Sequence, residues 1–536
     1  FTPPEISSFL VDWAIRNASE TVLEPSCGEA SFLLPAGVRL RQLGGKPPSR
    51  RQLEGVEVHA PSAAEAERLL KDAGFGSRVR VADFFDVEPE AFFDAVVGNP
   101  PYIRYQNFSG DLRVKALRAA LTQGVGLTKL ASSWAAFVVH ATRFLKPGGR
   151  LALVLPAELL TVNYAAPVRK FLLRRFAKVR LVMFEELVFP GVLEEVVLLL
   201  AEGEGSAECF EVYQACDVSD LSGIDRKGWN WFTPESGGKW TPALVSADSF
   251  AEYQALVQGA SFCDLLGWGE TYLGAVTGNN RFFTMKAEQA RSLRMPESAL
   301  LRISPPGSRH LRGLTFTDAA WEEASKDGSP CYLFCPPEDR VGVAVQKYIA
   351  DGESAGVQAA YKCQAREPWW RVPVVPVPDL LLTYMDHDRP RLITNAAKVA
   401  HLNSLYGVTL KSEHRQLGRD LLPIASLNSV TLLGAEMVGR SYGGGLLKLE
   451  PKEADLLPVP SPATVEATAS ELRALRPQLA KSLRQGKLSN AVDLVDAVLL
   501  RDHLSVGKDK IASLRGAREV LFSRRTSRGK GKSGKG

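Results

Sequence analysis

Asn99-Pro100-Pro101-Tyr102 follows directly on the apolar run Phe93-Asp94-Ala95-Val96-Val97-Gly98. Two successive prolines stiffen the backbone and remove two amide donors, so the carbonyls at this corner point outward without local partners. The Asn99 side-chain oxygen beside the Pro100 carbonyl makes two hydrogen-bond acceptors, the number that an NH2 group with two hydrogens requires. Tyr102 adds a stacking face. The chemistry is the gripping of an exocyclic amine or amide nitrogen; the competing reading is a rigid turn.

Three earlier strand ends carry groups of a complementary kind. Glu24-Pro25-Ser26-Cys27-Gly28-Glu29-Ala30-Ser31-Phe32 is a small-residue loop that lets backbone approach a ligand, with Cys27 read as a small filler. Glu57, about thirty residues on, can accept two hydrogen bonds from ribose hydroxyls. Asp83 with Phe84 suits an adenine, the carboxylate accepting from its amine and the ring stacking. Each acid alone reads as a solvated strand-end residue; their regular recurrence favours a ligand. No metal is required, and neither a histidine nor a cysteine is needed for the chemistry.

The elements that must position these groups are legible in the hydrophobic pattern. Apolar runs at Thr21–Glu24, Leu53–Val58, Val79–Ala82, Phe93–Gly98, Arg150–Leu155, Val179–Phe184 and Glu195–Ala201 read as strands, with helices at Ser132–Leu145 and Ala166–Phe176. Lys146-Pro147-Gly148-Gly149 reads as the stop of the first helix. This is an α/β domain with a mostly parallel sheet, and ligands bind outside the carboxyl ends of such strands. The pattern divides the chain into a first domain over residues 1–202, a linker over 203–246, a mixed α+β domain over 247–461, a helical segment over 462–523 and a flexible basic tail over 524–536.

The chain has 536 residues, 45% hydrophobic and 23% charged, with a formal charge of +5. That composition excludes a disordered, collagen-like or membrane-spanning chain, because runs such as Val196–Ala201 fall far short of the roughly 20 residues that cross a bilayer. Arg524, Arg525, Arg528, Lys530, Lys532 and Lys535 stand at the end with no acid among them, and the rest of the chain is near neutral. Such a tail is either a solubilising terminus or a contact for a polyanion. Seven scattered cysteines fit reduced thiols in a cytosolic setting. No charged-then-apolar signal segment opens the chain, and Phe1 stands where an initiator Met is expected, so the biological start is expected elsewhere.

In this order the motifs resemble the amino-group DNA methyltransferases that use S-adenosylmethionine, above all the gamma class of TaqI-like and Eco57I-like adenine-N6 enzymes of type II restriction-modification. The resemblance covers residues 1 to about 202 and implies a Rossmann-like seven-strand methyltransferase sheet. Thr2-Pro3-Pro4-Glu5 matches the motif that helps hold the methionine end of the cofactor. Glu24 to Phe32, through Glu24, Pro25, Cys27 and Gly28, matches the first cofactor motif, Gly55-Val56-Glu57-Val58 the ribose motif, and Ala82-Asp83-Phe84 the adenine motif. Asn99, Pro100, Pro101 and Tyr102 match the catalytic NPPY, and Asn99 and Pro101 also border the cofactor. Phe137, in Trp134-Ala135-Ala136-Phe137, matches an aromatic helix lining the cofactor site. Phe189, in Val188-Phe189-Pro190, falls where the family stacks a phenylalanine on the flipped base. Ala30, where the family usually has Gly, and His59, where an acid is common after the ribose motif, depart from the pattern.

The C-terminal half also resembles the target-recognition region of these enzymes, at Gly274 to Phe283, at Lys362-Cys363-Gln364-Ala365-Arg366-Glu367-Pro368-Trp369-Trp370-Arg371, and from Tyr442 to Pro451. Lys362, Arg366 and Arg371 could hold phosphates or read guanine edges, and Trp369, Trp370 and Tyr442 could pack beside DNA or serve a core. The resemblance implies duplex DNA as the macromolecular partner, a restriction nuclease on a separate chain, a monomer, no membrane, and the cytoplasm of a prokaryotic cell. Alternatives that use the same loop are a protein glutamine-N5 methyltransferase, an RNA base methyltransferase and a decayed, non-catalytic binder.

Overall fold

The alternating apolar runs of the first half form one sheet, in a computed structural model that describes residues 2–530 apart from 185–187, 190–194, 225–229, 234–237, 338–341 and 443–444. Its strands are β1 (Val22–Glu24), β2 (Leu53–Glu57), β3 (Arg78–Val81), β4 (Phe93–Gly98), β5 (Leu145–Pro156), β6 (Lys178–Phe184), β7 (Val196–Glu202), β8 (Phe210–Ala215) and β9 (Asn230–Phe232). They lie in the order β3-β2-β1-β4-β5-β7-β6-β8-β9. β1 to β5 run parallel, and β7 is inserted antiparallel between β5 and β6. β5 from Leu151 onward and β7 are apolar nearly throughout because both faces of these central strands are covered.

The helices that cover the sheet are α1 (Pro4–Ala14), α2 (Leu33–Gly44), α3 (Ala60–Asp72), α4 (Gly110–Leu121), α5 (Ser133–Ala141), α6 (Glu158–Thr161) and α7 (Ala166–Arg175). All nine residues of α5 are buried, in keeping with a segment that is apolar on every side. This helix is shorter than the expected Ser132–Leu145. A 3-10 turn at Thr142–Phe144 ends it, and Lys146-Pro147-Gly148-Gly149 lies within β5 as an irregularity, with Gly148 at φ 75° and a register shift opposite Phe93 and Ala95.

Two expectations need correction here. Among the described residues the sheet has nine strands against an expected seven, and the supposed linker over 203–246 contains β8, parallel to β6, and β9, antiparallel to β8. β8 escapes the apolar pattern because Glu211 stands second in it. That carboxylate is buried and held by Arg180 Nε at 2.6 Å and Lys178 Nζ at 2.9 Å on the neighbouring strand. A charge is tolerated inside when paired in this way, which pattern reading cannot foresee.

Two compact units result, Phe1–Ala247 and Asp248–Gly536. The second has a five-stranded sheet ordered Gly269–Leu273, Tyr406–Leu410, Leu380–Thr383, Arg391–Asn395, Thr315–Phe316, with two three-stranded sheets and a two-stranded one. Helices Pro462–Ala467, Ala469–Arg484 and Leu488–Asp496 contribute Val465, Leu472, Leu479, Ala491 and Val495 to the core that holds Leu380, Tyr406 and Val408. Among the described residues no single helix is long and apolar enough to cross a membrane.

The expected flexible tail from residue 524 also needs correction. Helix Lys508–Lys530 runs through it, Arg524 and Arg525 are buried, and residues 531–536 lie outside the described residues. Arg525 grips both oxygens of buried Glu436 at 2.7 and 3.0 Å and donates to the carbonyls of His387 and Gly445. A basic run reads as solvated unless its acid, 89 residues upstream, is known. Removing one partner of a buried pair costs about 3–5 kcal/mol. Arg525→Ala is therefore expected to lower the unfolding free energy in denaturant titration by about that amount, whereas a solvated tail residue would leave the midpoint unchanged.

Candidate active site

Gly98 ends β4 at φ 158°, and the chain then turns through Asn99 and the two prolines. Three hydroxyl groups hold this corner. Ser133, buried at the start of α5, donates from Oγ to the Pro101 carbonyl at 2.5 Å, accepts from the Ile103 amide at 2.9 Å, and gives its own amide to the Ile103 carbonyl at 3.0 Å. Tyr102 Oη lies 2.9 Å from the Val154 carbonyl on β5 and 2.7 Å from Asn99 Oδ1. Thr2 Oγ1, just before α1, lies 3.2 Å from Asn99 Nδ2. Pro100 is buried, Pro101 exposed, and Asn99 and Tyr102 intermediate. Ser133 is a residue that the sequence does not single out, since its neighbour Ser132 looks the same.

The loop after β1 is built around two acids. Glu24 is buried, and its carboxylate accepts from the Leu33 amide at 2.9 Å and the Phe32 amide at 3.2 Å, so it faces the N-terminus of α2. Burial raises its pKa well above the usual carboxylate range, and the nearby Glu57 adds to the rise. Glu57 accepts from the Gly28 amide at 2.9 Å and the His59 amide at 2.8 Å, which leaves further lone pairs for hydroxyls. Cys27 is buried against the position a Gly55 side chain would take, and burial pushes its thiol pKa up, as befits an inert filler. Pro25 is buried, and its ring lies 3.6 Å from where a Gly98 side chain would begin, so the loop after β1 meets the end of β4.

Gly28 sits at φ 50°, and a side chain there would meet nothing within 4 Å, so the loop opens onto free space above Glu57. Ala30 takes φ 64° although it is not a glycine, in a backbone region that costs an L-residue about 1–2 kcal/mol. Its methyl is wholly buried beside the loop.

Asp83 accepts from the Phe85 amide at 3.0 Å. Phe84 and Phe137, expected to face the cofactor, are buried against each other at 4.7 Å, with Phe144 stacked on Phe84 at 5.0 Å. Phe85 is the partly exposed ring of this group, and Val58, at 72% exposure, lies beside the end of β2. Phe189, expected on the base, is 8% exposed and packs into the core cluster against which Tyr102 rests. Pro190 and the Gly443-Gly444 pair lie outside the described residues.

In the second unit the basic-aromatic segment divides in two. Arg366 gives its guanidinium to the carbonyls of Thr277 and Val276, Trp369 packs on Phe282 at 5.5 Å with its Nε1 on Glu353 at 3.0 Å, and Trp370 rests on the same core. These contacts give all three a place in the fold, the core role that the sequence leaves open beside DNA contact, and each stays partly exposed. Lys362, Arg371 and Tyr442 are exposed, as is Tyr361 at 80%, which the sequence reading omits. Among the described residues no group of three or more His, Cys, Asp or Glu is placed to hold a metal ion.

The strand order with its antiparallel β7, and the meeting of the β1, β2 and β4 loops at the carboxyl ends, define a Rossmann-like methyltransferase, whose cofactor is S-adenosyl-L-methionine. The family model "Eco57I restriction-modification methylase" matches residues 70–189, and that of the C-terminal domain of type II methyltransferase M.Eco57I matches 237–500. The chain belongs to the Eco57I-like type II restriction-modification methyltransferases. It is 25% identical over 476 residues to the type II methyltransferase M.XamI of Xanthomonas campestris pv. amaranthicola, covering 86% of this chain and 84% of that one. It is 22% identical over 463 residues to M.AccI of Acinetobacter calcoaceticus, covering 84% and 83%. Among solved structures, the type IIL restriction-modification enzyme MmeI in complex with DNA shares the fold at TM-score 0.54 and 12% identity, over 98% of this chain and 75% of that one.

His140 of α5 backs the aromatic group, with Nε2 3.2 Å from the Phe84 carbonyl and its ring 4.8 Å from the Phe84 ring. Its Nδ1 has no partner among the described residues. Burial lowers its pKa to about 4. The folded state therefore resists protonation that the unfolded chain accepts, so the stability this histidine contributes is complete above about pH 6.5 and is lost as pH falls towards 4. His140→Gln is expected to reduce the slope of unfolding free energy against pH in this window by up to about one proton. Equilibrium unfolding at several pH values measures that slope.

Proposed function

We propose that this DNA methyltransferase transfers a methyl group to the N6 amine of an adenine turned out of duplex DNA, protecting host DNA in restriction-modification. The observation that carries the reading is the corner after β4, where Asn99 is followed by two prolines and Ser133 takes up the carbonyl of Pro101. The Pro101 carbonyl thus has its donor within the protein, and Pro100 is left as the acceptor beside Asn99.

S-adenosylmethionine fits the neighbouring residues: Glu57 keeps lone pairs for ribose hydroxyls, Asp83 and the partly exposed Phe85 suit an adenine ring, and the open space over Gly28 admits backbone contact. When bound, it supplies an electrophilic methyl group on a sulfonium. Asn99 and the Pro100 carbonyl each accept one hydrogen of the amine, which draws the nitrogen towards tetrahedral geometry and frees a lone pair otherwise delocalised into the ring. The same oxygens then stabilise the positive charge that develops on nitrogen. Tyr102, its hydroxyl anchored on β5, fixes a ring plane for the base, and stacking worth about 1–3 kcal/mol offsets part of the cost of unstacking. Exposed Lys362, Arg371, Tyr361 and Tyr442 of the second unit are the groups offered to DNA, with the phosphate backbone suited to the cations.

Asn99→Ala is expected to abolish methyl transfer while cofactor affinity, read by calorimetry, stays within about threefold, because the amide acts on the amine. Ser133→Ala leaves the Pro101 carbonyl and Ile103 amide unpaired and lets the corner drift. It is expected to lower kcat by about ten- to a hundredfold with cofactor affinity nearly unchanged. Sequencing that detects modified bases, on DNA exposed to the enzyme, is expected to show N6-methyladenine at one recognition sequence; methylation of cytosine, or of RNA or a protein glutamine in its place, would overturn the reading.

A further inference from the structure

The hydroxyl groups around Asn99 impose a direction. A phenol has one proton, and Tyr102 Oη lies 2.9 Å from the Val154 carbonyl and 2.7 Å from the Asn99 amide. The carbonyl can only accept, so when Tyr102 donates to Val154 it must accept from Asn99. A half-turn of the Asn99 amide meets that condition. Nδ2 then donates to Tyr102, and Oδ1 moves to the side of Thr2 Oγ1, now at 3.2 Å from Nδ2. A threonine hydroxyl serves either orientation, as acceptor from Nδ2 or as donor to Oδ1.

The two orientations differ in what they offer the substrate. With Oδ1 against Tyr102, an incoming amine on the Thr2 side meets an NH2 group, donor against donor. With Oδ1 on the Thr2 side, one lone pair takes the threonine proton and the other is left for a hydrogen of the amine. We propose that Thr2 is a positioning residue that acts through Asn99, holding the amide oxygen towards the substrate in a relay that runs Asn99 Nδ2 to Tyr102 Oη to Val154 O. This rests on the reading of Asn99 as an acceptor for the amine, and it gives Thr2 a task separate from holding the cofactor.

Thr2→Val keeps the shape and removes the hydroxyl. It is expected to lower kcat about tenfold, as the loss of one neutral hydrogen bond allows, with the S-adenosylmethionine dissociation constant within about twofold of wild type, and Thr2→Ser is expected to restore kcat. In an Asn99→Asp background both side-chain atoms are acceptors and orientation no longer matters, so Thr2→Val is expected to cost less than about twofold there. Where Asn99→Asp turns over too slowly to measure, the same cycle is read with Tyr102→Phe: the double variant is expected to be no slower than the slower single one. A weaker cofactor complex at unchanged kcat in Thr2→Val, or an undiminished cost in the second background, overturns the inference. Turnover by Asn99→Ala would instead remove the mechanism beneath it, whereas an inactive Asn99→Ala beside a fully active Thr2→Val sinks the role of Thr2 alone.

Discussion

An amine with two hydrogens is held at both only by two acceptors fixed in relation to one another, and in the proposed reading the first unit is arranged around that constraint. Prolines at 100 and 101 withhold the amide donors that would otherwise compete for the oxygens. The surrounding hydroxyls then occupy the atoms that must not face the substrate: Ser133 the Pro101 carbonyl and Ile103 amide, Tyr102 the Val154 carbonyl. Each anchor belongs to a different element, so the corner is fixed by the packing of α5 and β5 on β4 more than by its own four residues.

The cofactor side depends on a second arrangement in which acids face inward. Glu24 satisfies the opening amides of α2, and Glu57 ties the end of β2 to Gly28, so the loop after β1 is held from both sides. Burying a carboxylate beside another raises its pKa, as at Glu24, and the backbone donors of Phe32 and Leu33 at the helix N-terminus compensate in part. The left-handed backbone at Ala30 adds strain that this hydrogen bonding sustains. The aromatic group of Phe84, Phe137, Phe144 and His140 makes a firm floor beneath Asp83, with Phe85 nearer the surface.

The parallel strands were legible because buried strands in an α/β sheet are short and almost wholly apolar; Phe93–Gly98 coincides with β4, and the strand-end groups fall where that topology puts ligands. The misreadings share one cause. β8 with Glu211, and the final helix with Arg525, bury charges whose partners lie on distant segments, and a local window counts such residues as solvated. Side-chain direction was equally hidden: Glu24, Phe84, Phe137 and Phe189 sit at the expected positions but point into the protein. In the second unit Arg366 and Trp369 carry the composition of a nucleic-acid contact and also pack, on the carbonyls of Val276 and Thr277 and on the ring of Phe282, partners that no local window contains.

The grip on both hydrogens is tested most directly by a duplex whose target adenines already carry one N6 methyl group. Such a nitrogen offers one hydrogen to two acceptors and crowds the corner. With enzyme in excess and product read by mass spectrometry, the account predicts ready conversion of unmodified adenine to the monomethyl form, and dimethyladenine formed at least about a hundredfold more slowly. Dimethyladenine appearing at a comparable rate would contradict it.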